Sequence, residues 1–378
     1  MLTPLDDMPW HQLPTTFDHV GPSDVRFFDR LWFAASDRAG GGALQLTMGV
    51  YQNMNVVDGG FVVVDGTRQH NLRVSRQLRS RYDTTCGPLE IEVVEPMRRL
   101  RLSVAPSTAT VHGRLDWVAT IEAQEERHHF KRSSGRVVED YARYDQIGEV
   151  SGWMEIEGKR IELDRWWACR DHSWGVRERV GIPEPYTGET GTAGQTGRAG
   201  ESMFAFLFFS TGTHGGHVQV GRRDGVDHLT AEIVDRASGH TVRGESVTID
   251  ATFVDDGRPR RVRRARLDVT DGRGEVTVLE LEAVGGAVAM TGLGYGGYDD
   301  GLGLGVHRGI EHLESDVWDV SHPASVGYPD GRTDRPVHRI QPVRVTQRGP
   351  AGTSEGTGSL TFIAELPAGA FPLVISSG

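Results

Sequence analysis

Residues 165–177, with the sequence RWWACRDHSWGVR, concentrate acid–base and aromatic side chains in a short stretch. An imidazole beside a carboxyl group transfers protons, and indole rings supply an apolar surface that attracts cations. We therefore expect Asp171, His172 and Trp174 to be catalytic residues that act on an apolar substrate. The same residues are typical of a packed core, in which an Asp–His pair is a satisfied buried hydrogen bond.

The stretch separates these side chains if it is a β-strand, because successive side chains then point to opposite faces. One face would carry Trp166, Ala168, Arg170, His172 and Trp174. The other would carry Trp167, Cys169, Asp171 and Ser173. Gly175 marks a position where the strand ends or bends.

The flanking sequence predicts strands as well. Residues 43–51 and 60–65 alternate between apolar and polar side chains, and Asp65-Gly66 is a strong hairpin signal. Short strands at intervals of about ten residues, joined by Gly, Asp and Pro, are typical of a sandwich or a barrel. A short helix is predicted at residues 23–38, although residues 31–35 suit the opening of a first strand equally well.

A segment rich in Gly and Thr, residues 184–201, divides the chain. It has too few apolar side chains to form a core, so it is either an interdomain linker or a mobile lid. We therefore predict an N-terminal β domain at residues 1–183 and a C-terminal β domain at residues 202–378. The fold class is all-β.

Composition excludes several classes of protein. A length of 378 residues favours two domains, and a net charge of −11 argues against a nucleic-acid partner. Cys86 and Cys169 provide no disulfide framework, and the N-terminus lacks the charge and apolar pattern of a signal peptide. With no long apolar run, we expect no membrane span and a cytoplasmic location. A homodimer is compatible with the sequence.

Other motifs are weaker. GLGYGG at residues 292–297 matches a dinucleotide fingerprint but lacks the helix that would follow it, so a glycine-rich loop bordering a pocket is expected. Residues 307–312 (HRGIEH) and 214–217 (HGGH) do not supply the three ligands of a catalytic zinc. We expect neither a metal nor a cofactor. Residues 311–318 either complete the site from the second domain or form a solvated acidic loop.

Residues 170–177 (RDHSWGVR) resemble the carotenoid 1,2-hydratase (hydroxyneurosporene synthase) and AttH-like superfamily. Supporting stretches lie at residues 51–53, 58–59, 87–96 and 307–318. The resemblance implies two lipocalin-like β-barrel domains with a ligand cavity near their interface. It also implies a cofactor-independent enzyme, either an isoprenoid hydratase or, more distantly, a pericyclase.

The resemblance extends to single residues. His172 and Trp174 match the His-x-Trp of the hydratases, whereas the Tyr-x-Asp that follows in those enzymes has no counterpart at the corresponding position. Residues 298–300 have that pattern but lie much too far along the chain to be a clear match.

We thus expect a hydratase or isomerase acting on a C=C bond of an isoprenoid- or polyketide-like substrate in an interdomain pocket. A non-catalytic lipophile carrier and a pericyclase are the alternatives. The expected substrate-binding residues are Trp166, Trp167, Arg170, Arg177, Phe204, Phe206, Tyr295, Tyr298, Asp300, His312 and Trp318.

Overall fold

The computed structural model describes residues 4–7, 9, 13–79, 83–133, 135–181, 202–223, 225–295, 298–349 and 352–376. Strands account for 64% and helices for 3%, so the predicted all-β, lipocalin-like fold class is confirmed. The helices are short 3₁₀ segments at Pro4–Asp7, Gln52–Met54, Met290–Leu293 and Ala368–Ala370. The predicted linker or lid at residues 184–201 lies outside the described residues.

The strands of the first half are β1 (Phe27–Ser36), β2 (Gly42–Tyr51), β3 (Val56–Asp65), β4 (Arg68–Gln77), β5 (Thr85–Cys86), β6 (Leu89–Glu95), β7 (Arg99–Val104), β8 (Val111–Ala119), β9 (Gln124–Glu125), β10 (His129–Ser133), β11 (Arg136–Ile156) and β12 (Lys159–Val176). Those of the second half are β13 (Ser202–Thr211), β14 (His214–Arg223), β15 (Val226–Asp235), β16 (Thr241–Phe253), β17 (Val262–Asp271), β18 (Val276–Ala283), β19 (Val288–Ala289), β20 (Glu311–Asp319), β21 (Val326–Gly327), β22 (Thr333–Asp334), β23 (Arg339–Gly349), β24 (Gly352–Ala364) and β25 (Leu373–Ser376).

The first sheet curves around its own core. Its main order is β4-β3-β2-β1-β12-β11-β8-β7-β6-β5. The two ends of this order approach each other, since Arg76 Nε donates to the Thr85 carbonyl at 2.7 Å and Cys86 Sγ lies 3.6 Å from the Val57 carbonyl. The concave face encloses an apolar core that includes Phe33, Leu46 and Trp117.

The second sheet is a closed barrel. Strands β15-β14-β13-β24-β23-β18-β17-β16 pair in sequence, and β15 also pairs with β16. Closure of eight strands leaves an interior that side chains can fill, and the core here includes Leu207, Phe209 and Phe362. β13 carries Phe204, Phe206, Phe208 and Phe209 and is largely buried on both faces.

Three strands of the second half extend the first sheet. β20 pairs antiparallel with β4 along its whole length, and β21 and β22 continue outward from it. The two sheets are therefore tied together by strand pairing as well as by packing. The division at residues 183 and 202 stays a prediction.

The convex face of the first sheet packs against the second barrel. Trp32 and Trp167 from the first sheet share an apolar cluster with Phe206 and Phe208 of β13. Trp167 Nε1 also donates to Ser210 Oγ at 3.0 Å. This contact zone contains the polar groups described below.

The prediction of a helix at residues 23–38 was wrong. Residues 27–36 form β1, which pairs with β2 on one side and β12 on the other. Both faces of this central strand are buried from Trp32 to Ser36, so its apolar residues do not alternate there and their spacing also suited a helix. The Asp65-Gly66 hairpin is confirmed, since β3 and β4 pair across this turn.

Candidate functional site

β12 lies between β1 and β11, and its side chains alternate between the two faces of the first sheet as predicted. Trp166 and Ala168 belong to the concave core, whereas Trp167 and Cys169 belong to the cluster against the second barrel. Asp171 and His172, although adjacent in sequence, therefore point into different environments. The structure does not bring this pair together.

On the concave face His172 joins a series of polar contacts. Its Nε2 lies 2.7 Å from Asp29 Oδ1, and its Nδ1 lies 3.3 Å from the Tyr144 hydroxyl. Arg170 Nη1 donates to the same hydroxyl at 3.0 Å. The His172 ring also meets the Trp174 ring edge-on at 5.3 Å. We call these residues (Asp29, Tyr144, Arg170, His172 and Trp174) the concave cluster.

The concave cluster is anchored by Arg170, which is almost fully buried. Its guanidinium lies 4.8 Å from the Trp117 ring and donates from both Nε and Nη2 to Gln146 Oε1, at 3.0 and 2.6 Å. His172 keeps 26% of its side chain exposed and Asp29 keeps 51%. The cluster therefore fixes the orientation of an imidazole that remains accessible.

On the convex face, strand register places polar residues of three strands side by side. Arg30, Ser173 and Arg143 form one row across β1, β12 and β11. Trp32, Asp171 and Asp145 form the next row. Directly paired residues on one face have neighbouring side chains, so two arginines and two carboxyl groups meet here.

Next to Arg143 lies a group formed by the buried Glu126 carboxylate and the His129 imidazole. Arg143 Nη2 and His129 Nε2 both contact Glu126 Oε2, at 2.7 and 2.6 Å. Burial disfavours ionisation of Glu126, but the Arg143 charge and the His129 contact lower its pKa well below the usual range. Asp145 is buried too, and burial together with the Glu126 charge raises its pKa. These opposite pKa shifts favour the protonated form of Asp145 and the ionised form of Glu126.

His217 of β14 approaches Asp145 from the second barrel. Its Nδ1 is 3.7 Å from Asp145 Oδ2, and neither ring nitrogen has a hydrogen-bond partner within the described chain. Burial lowers the pKa of His217, so the ring is neutral. A buried, unpaired imidazole is costly to maintain, which suggests a role beyond packing.

Asp171 differs from these neighbours because its side chain is only partly enclosed. No residue in the described ranges hydrogen-bonds to its carboxyl group. Burial still raises its pKa, against the opposing effect of the Arg143 charge. Asp171 therefore faces the contact zone between the two sheets while part of its side-chain surface stays accessible.

Aromatic side chains from both halves lie in this contact zone. The Arg143 guanidinium lies 5.2 Å from the Phe206 ring, which in turn meets Phe204 at 6.3 Å. The Arg177 guanidinium lies 4.8 Å from the Phe28 ring. We call the region bordered by Phe28, Arg30, Trp32, Tyr141, Arg143, Asp171, Arg177, Phe204, Phe206, Tyr295 and His338 the interdomain cleft.

Tyr295 and His338 form the wall contributed by the second half. Arg30 Nε donates to the Tyr295 hydroxyl at 3.1 Å, and the Tyr295 and His338 rings are 6.1 Å apart. Burial and the charges of Arg261 and Arg177 lower the pKa of His338 to about 4. His338 is therefore a neutral imidazole at physiological pH.

Five of the residues predicted from sequence meet at the cleft: Asp171, Arg177, Phe204, Phe206 and Tyr295. Arg170, His172 and Trp174 belong to the concave cluster, and Trp166 to the core beneath it. Trp167 is a buried contact between the sheets.

The other predicted residues lie around β4 and β20. Tyr298 donates to the Val74 carbonyl at 2.8 Å, and its ring is 6.0 Å from that of His312. Asp300 forms an ion pair with Arg308 at 2.9 Å, and Trp318 packs edge-on against Tyr328 at 4.9 Å. Trp318 also belongs to the apolar cluster that contains Trp32 and Phe206 of the cleft.

The remaining sequence motifs supply no nucleophile or metal centre in the described residues. Cys169 is fully buried and burial raises its pKa, so it is a packed thiol. No three His, Cys, Asp or Glu side chains in those ranges are placed to hold one metal ion. None of the helices described is long and apolar enough to cross a bilayer.

Two surface clefts lie away from this chemistry. One of about 400 Å³ on the second barrel is lined by Arg264, Glu282 and Arg344, whose charges pair with one another at 2.9 and 3.2 Å. Another of about 340 Å³ is formed largely by glycines from residues 40–42 and 285–286. Neither contains an unpaired group of the kind found in the interdomain cleft.

The fold and the cleft define a lipocalin-like β protein with two sheets and a polar, aromatic-walled space between them. The chain belongs to the family described as "Family of unknown function (DUF8625)", whose model matches residues 2–328. Among curated proteins none matches it by sequence.

One solved structure shares the fold, and a second is similar with a lower score. Kievitone hydratase from Nectria haematococca matches with a TM-score of 0.52 and 8% identity over 96% of both chains. CghA bound to Sch210972 matches with a TM-score of 0.45 and 9% identity, over 91% of this chain and 89% of that one. The resemblance inferred from sequence is confirmed as a likeness of fold, and the specific likeness to carotenoid 1,2-hydratase stays a prediction.

Proposed function

We propose that this protein is a cofactor-independent enzyme that protonates a C=C bond of an apolar, isoprenoid- or polyketide-like substrate in the interdomain cleft. Hydration and isomerisation are the two outcomes of that chemistry. The observation that carries the proposal is the Asp171 carboxyl group, which borders the cleft, lacks a hydrogen bond from the described residues and has a raised pKa. A carboxyl group tuned in this way is suited to general acid catalysis.

In this mechanism Asp171 transfers its proton to one alkene carbon, and the other carbon becomes cationic. The rings of Phe206 and Phe204 stabilise that cation, each by about 1–2 kcal/mol when water is excluded. In hydration, water adds to the cation and returns a proton to the Asp171 carboxylate. In isomerisation, a proton from a neighbouring carbon returns to the same carboxylate. Both cycles restore the starting acid.

Asp145 and Glu126 support this cycle. Asp145 is paired directly with Asp171 across β11 and β12, and its own pKa is raised. A neutral Asp145 adds no charge beside Asp171 and so does not oppose the ionisation that follows proton transfer. The Arg143 charge, held by Glu126 at 2.7 Å, stabilises the Asp171 carboxylate once it has formed.

The concave cluster is a second candidate for the proton transfer. The contacts of His172 with Asp29 and Tyr144 orient an accessible imidazole beside Trp174, which is the arrangement that the His-x-Trp resemblance implies. Because Asp171 and His172 lie on opposite faces of β12, single substitutions separate the two candidates.

The test uses farnesol and farnesoic acid as probes, each in water containing deuterium or heavy oxygen. Carbon-bound deuterium in a product indicates protonation of the alkene, and heavy oxygen distinguishes hydration from isomerisation. We expect Asp171→Asn to lower turnover by about 10²-fold or more and His172→Ala to change it little. Asp164→Asn, at an exposed position of the same strand, is the matched control.

Three results separate the alternatives. Unchanged turnover in Asp171→Asn, with loss in His172→Ala, would move the chemistry to the concave cluster. Binding of the probes without product in the wild-type protein would favour a carrier. A cyclised product without deuterium or heavy oxygen would favour a pericyclase.

A further inference from the structure

The interdomain cleft has more positive than negative charge available to a ligand. Arg30 is paired with Asp58 at 2.8 Å and Arg143 with Glu126 at 2.7 Å. Arg177, by contrast, forms no ion pair within the described ranges and rests on the Phe28 ring. Among the described residues of the cleft, Asp171 has a carboxyl group without a hydrogen-bond partner; it is the proposed acid and is uncharged when it carries its proton.

Arg30 also has an unused donor. Its Nη1 contacts Tyr51 and Asp58, and its Nε donates to Tyr295. Its Nη2 has no partner among the described residues, although the side chain is only 2% exposed. Buried N–H groups are almost always satisfied, so this nitrogen calls for an acceptor that the described residues do not supply.

Tyr295 adds a donor at the same place. Its hydroxyl oxygen accepts the hydrogen bond from Arg30 Nε, which leaves its own proton free to donate. A ligand oxygen in front of Arg30 would thus meet a guanidinium N–H and a phenol O–H. Guanidinium groups match planar oxyanions closely, since they offer parallel donors in a fixed fork.

We propose that the cleft binds the oxyanion end, a carboxylate or enolate, of an amphipathic substrate through Arg30, Arg177 and Tyr295. The apolar part of that substrate lies along Phe204 and Phe206. This inference rests on the proposed function, because it identifies the class of molecule that the same cleft accepts. It excludes neutral hydrocarbons as preferred substrates.

A bound anion also reconciles the arginines of the cleft with the proposed cationic intermediate. Guanidinium charges beside the alkene oppose the formation of a cation, and a bound oxyanion offsets them. The same negative charge disfavours ionisation of Asp171 before reaction. The acid would therefore be held protonated in the complex that needs it.

Binding of a fluorescent polyene acid, cis-parinaric acid, tests this inference without requiring turnover. Its affinity for the full-length protein is compared with those of its methyl ester and its alcohol, which keep the chain but lose the anion. We expect the acid to bind about tenfold or more tightly than either, since hydrogen bonds to charged groups are the stronger ones. Arg177→Gln should remove this preference and leave the affinity for the ester unchanged.

Arg165→Gln, which removes an exposed arginine of β12, is the control and should bind all three probes as the wild type does. Equal affinities of the wild type for acid, ester and alcohol would overturn the inference, as would failure of the acid to bind. The comparison of the three probes on the wild-type protein does not depend on any variant, so it tests the anion site even if Arg177→Gln folds poorly. Loss of turnover in Asp171→Asn together with equal affinities would leave the proposed function standing and refute only the anion site.

Discussion

The buried Arg30–Asp58 pair should be among the most sensitive points of the fold. The two side chains are 2% and 0% exposed and lie 2.8 Å apart. Asp58 Oδ2 also accepts a hydrogen bond from the Gly305 backbone at 2.6 Å, so this carboxylate links the first sheet to the second half of the chain. Removal of the Asp58 carboxylate would leave a charged guanidinium and a backbone N–H buried without this partner.

The expected cost follows from that burial. Removing one partner of a buried ion pair costs about 3–5 kcal/mol, because the remaining charge is uncompensated. We therefore expect Asp58→Ala to lower the free energy of unfolding by this amount. Replacing both partners, in the double variant Arg30→Met with Asp58→Leu, should cost less than Asp58→Ala because no buried charge remains.

The matched control is the Arg73–Asp299 pair. These groups lie 3.4 Å apart, Asp299 is 77% exposed, and Arg73 keeps two further carboxylate partners. An exposed pair of this kind contributes about 0–1 kcal/mol, so Asp299→Ala should be nearly neutral. Urea unfolding followed by tryptophan fluorescence and circular dichroism measures all variants. Equal losses in Asp58→Ala and Asp299→Ala would refute the reasoning.

Three further outcomes are expected. The folded-state pKa of His338 is about 4, whereas the ordinary value is about 6.5. Between these pH values the unfolded chain binds more protons than the folded protein, so stability falls as pH drops through this range. His338→Gln should remove up to about 3 kcal/mol of that loss, as measured by urea midpoints at pH 7 and 4.5. The pH dependence from Asp145 has the opposite sign, because its raised pKa contributes stability that is lost as pH rises above the ordinary aspartate range. Asp145→Asn should therefore be at least as stable as the wild type at pH 7. A decrease of several kcal/mol in the free energy of unfolding at that pH would contradict a neutral Asp145. Gly175→Ala should lower the melting temperature more than Gly158→Ala. Gly175 has φ 137° and an added Cβ would meet the Asp140 carbonyl oxygen at 2.3 Å, whereas Gly158 has φ 81° and open space around it. Equal shifts in melting temperature would show that the strand relaxes around the methyl group.

Much of the fold follows from local patterns. Alternation and turn residues predict most of the strands, and the face assignment of residues 166–174 holds because β12 has one face in the first core and the other against the second barrel. β1 escaped this reasoning since both of its faces are buried, which removes the period of two. The pairing of β20 with β4 joins residues far apart in the chain, and no local pattern specifies such a partner.

The site was predictable only in part, for a related reason. The motif at residues 170–177 identified Asp171 and Arg177, but Arg30 and Arg143 stand in strands with no distinctive motif. His217 belongs to HGGH at residues 214–217, which the sequence brought to attention only as an incomplete zinc motif. They reach the cleft because strand register and the packing of the second barrel bring them there. His338 and Glu126 likewise have no sequence signal that separates them from ordinary surface residues.

Register is therefore as important to the site as the identity of its residues. A shift of β1 by one residue against β12 would turn Arg30 toward the concave apolar core and Leu31 toward the cleft. The ion pair of Arg30 with Asp58 resists such a shift, since it forms only when both side chains point to the convex face. In the same arrangement the buried Arg30 Nη2 has no hydrogen-bond partner among the described residues. The pair that aligns the strands thus also presents the donor through which we propose the substrate is recognised.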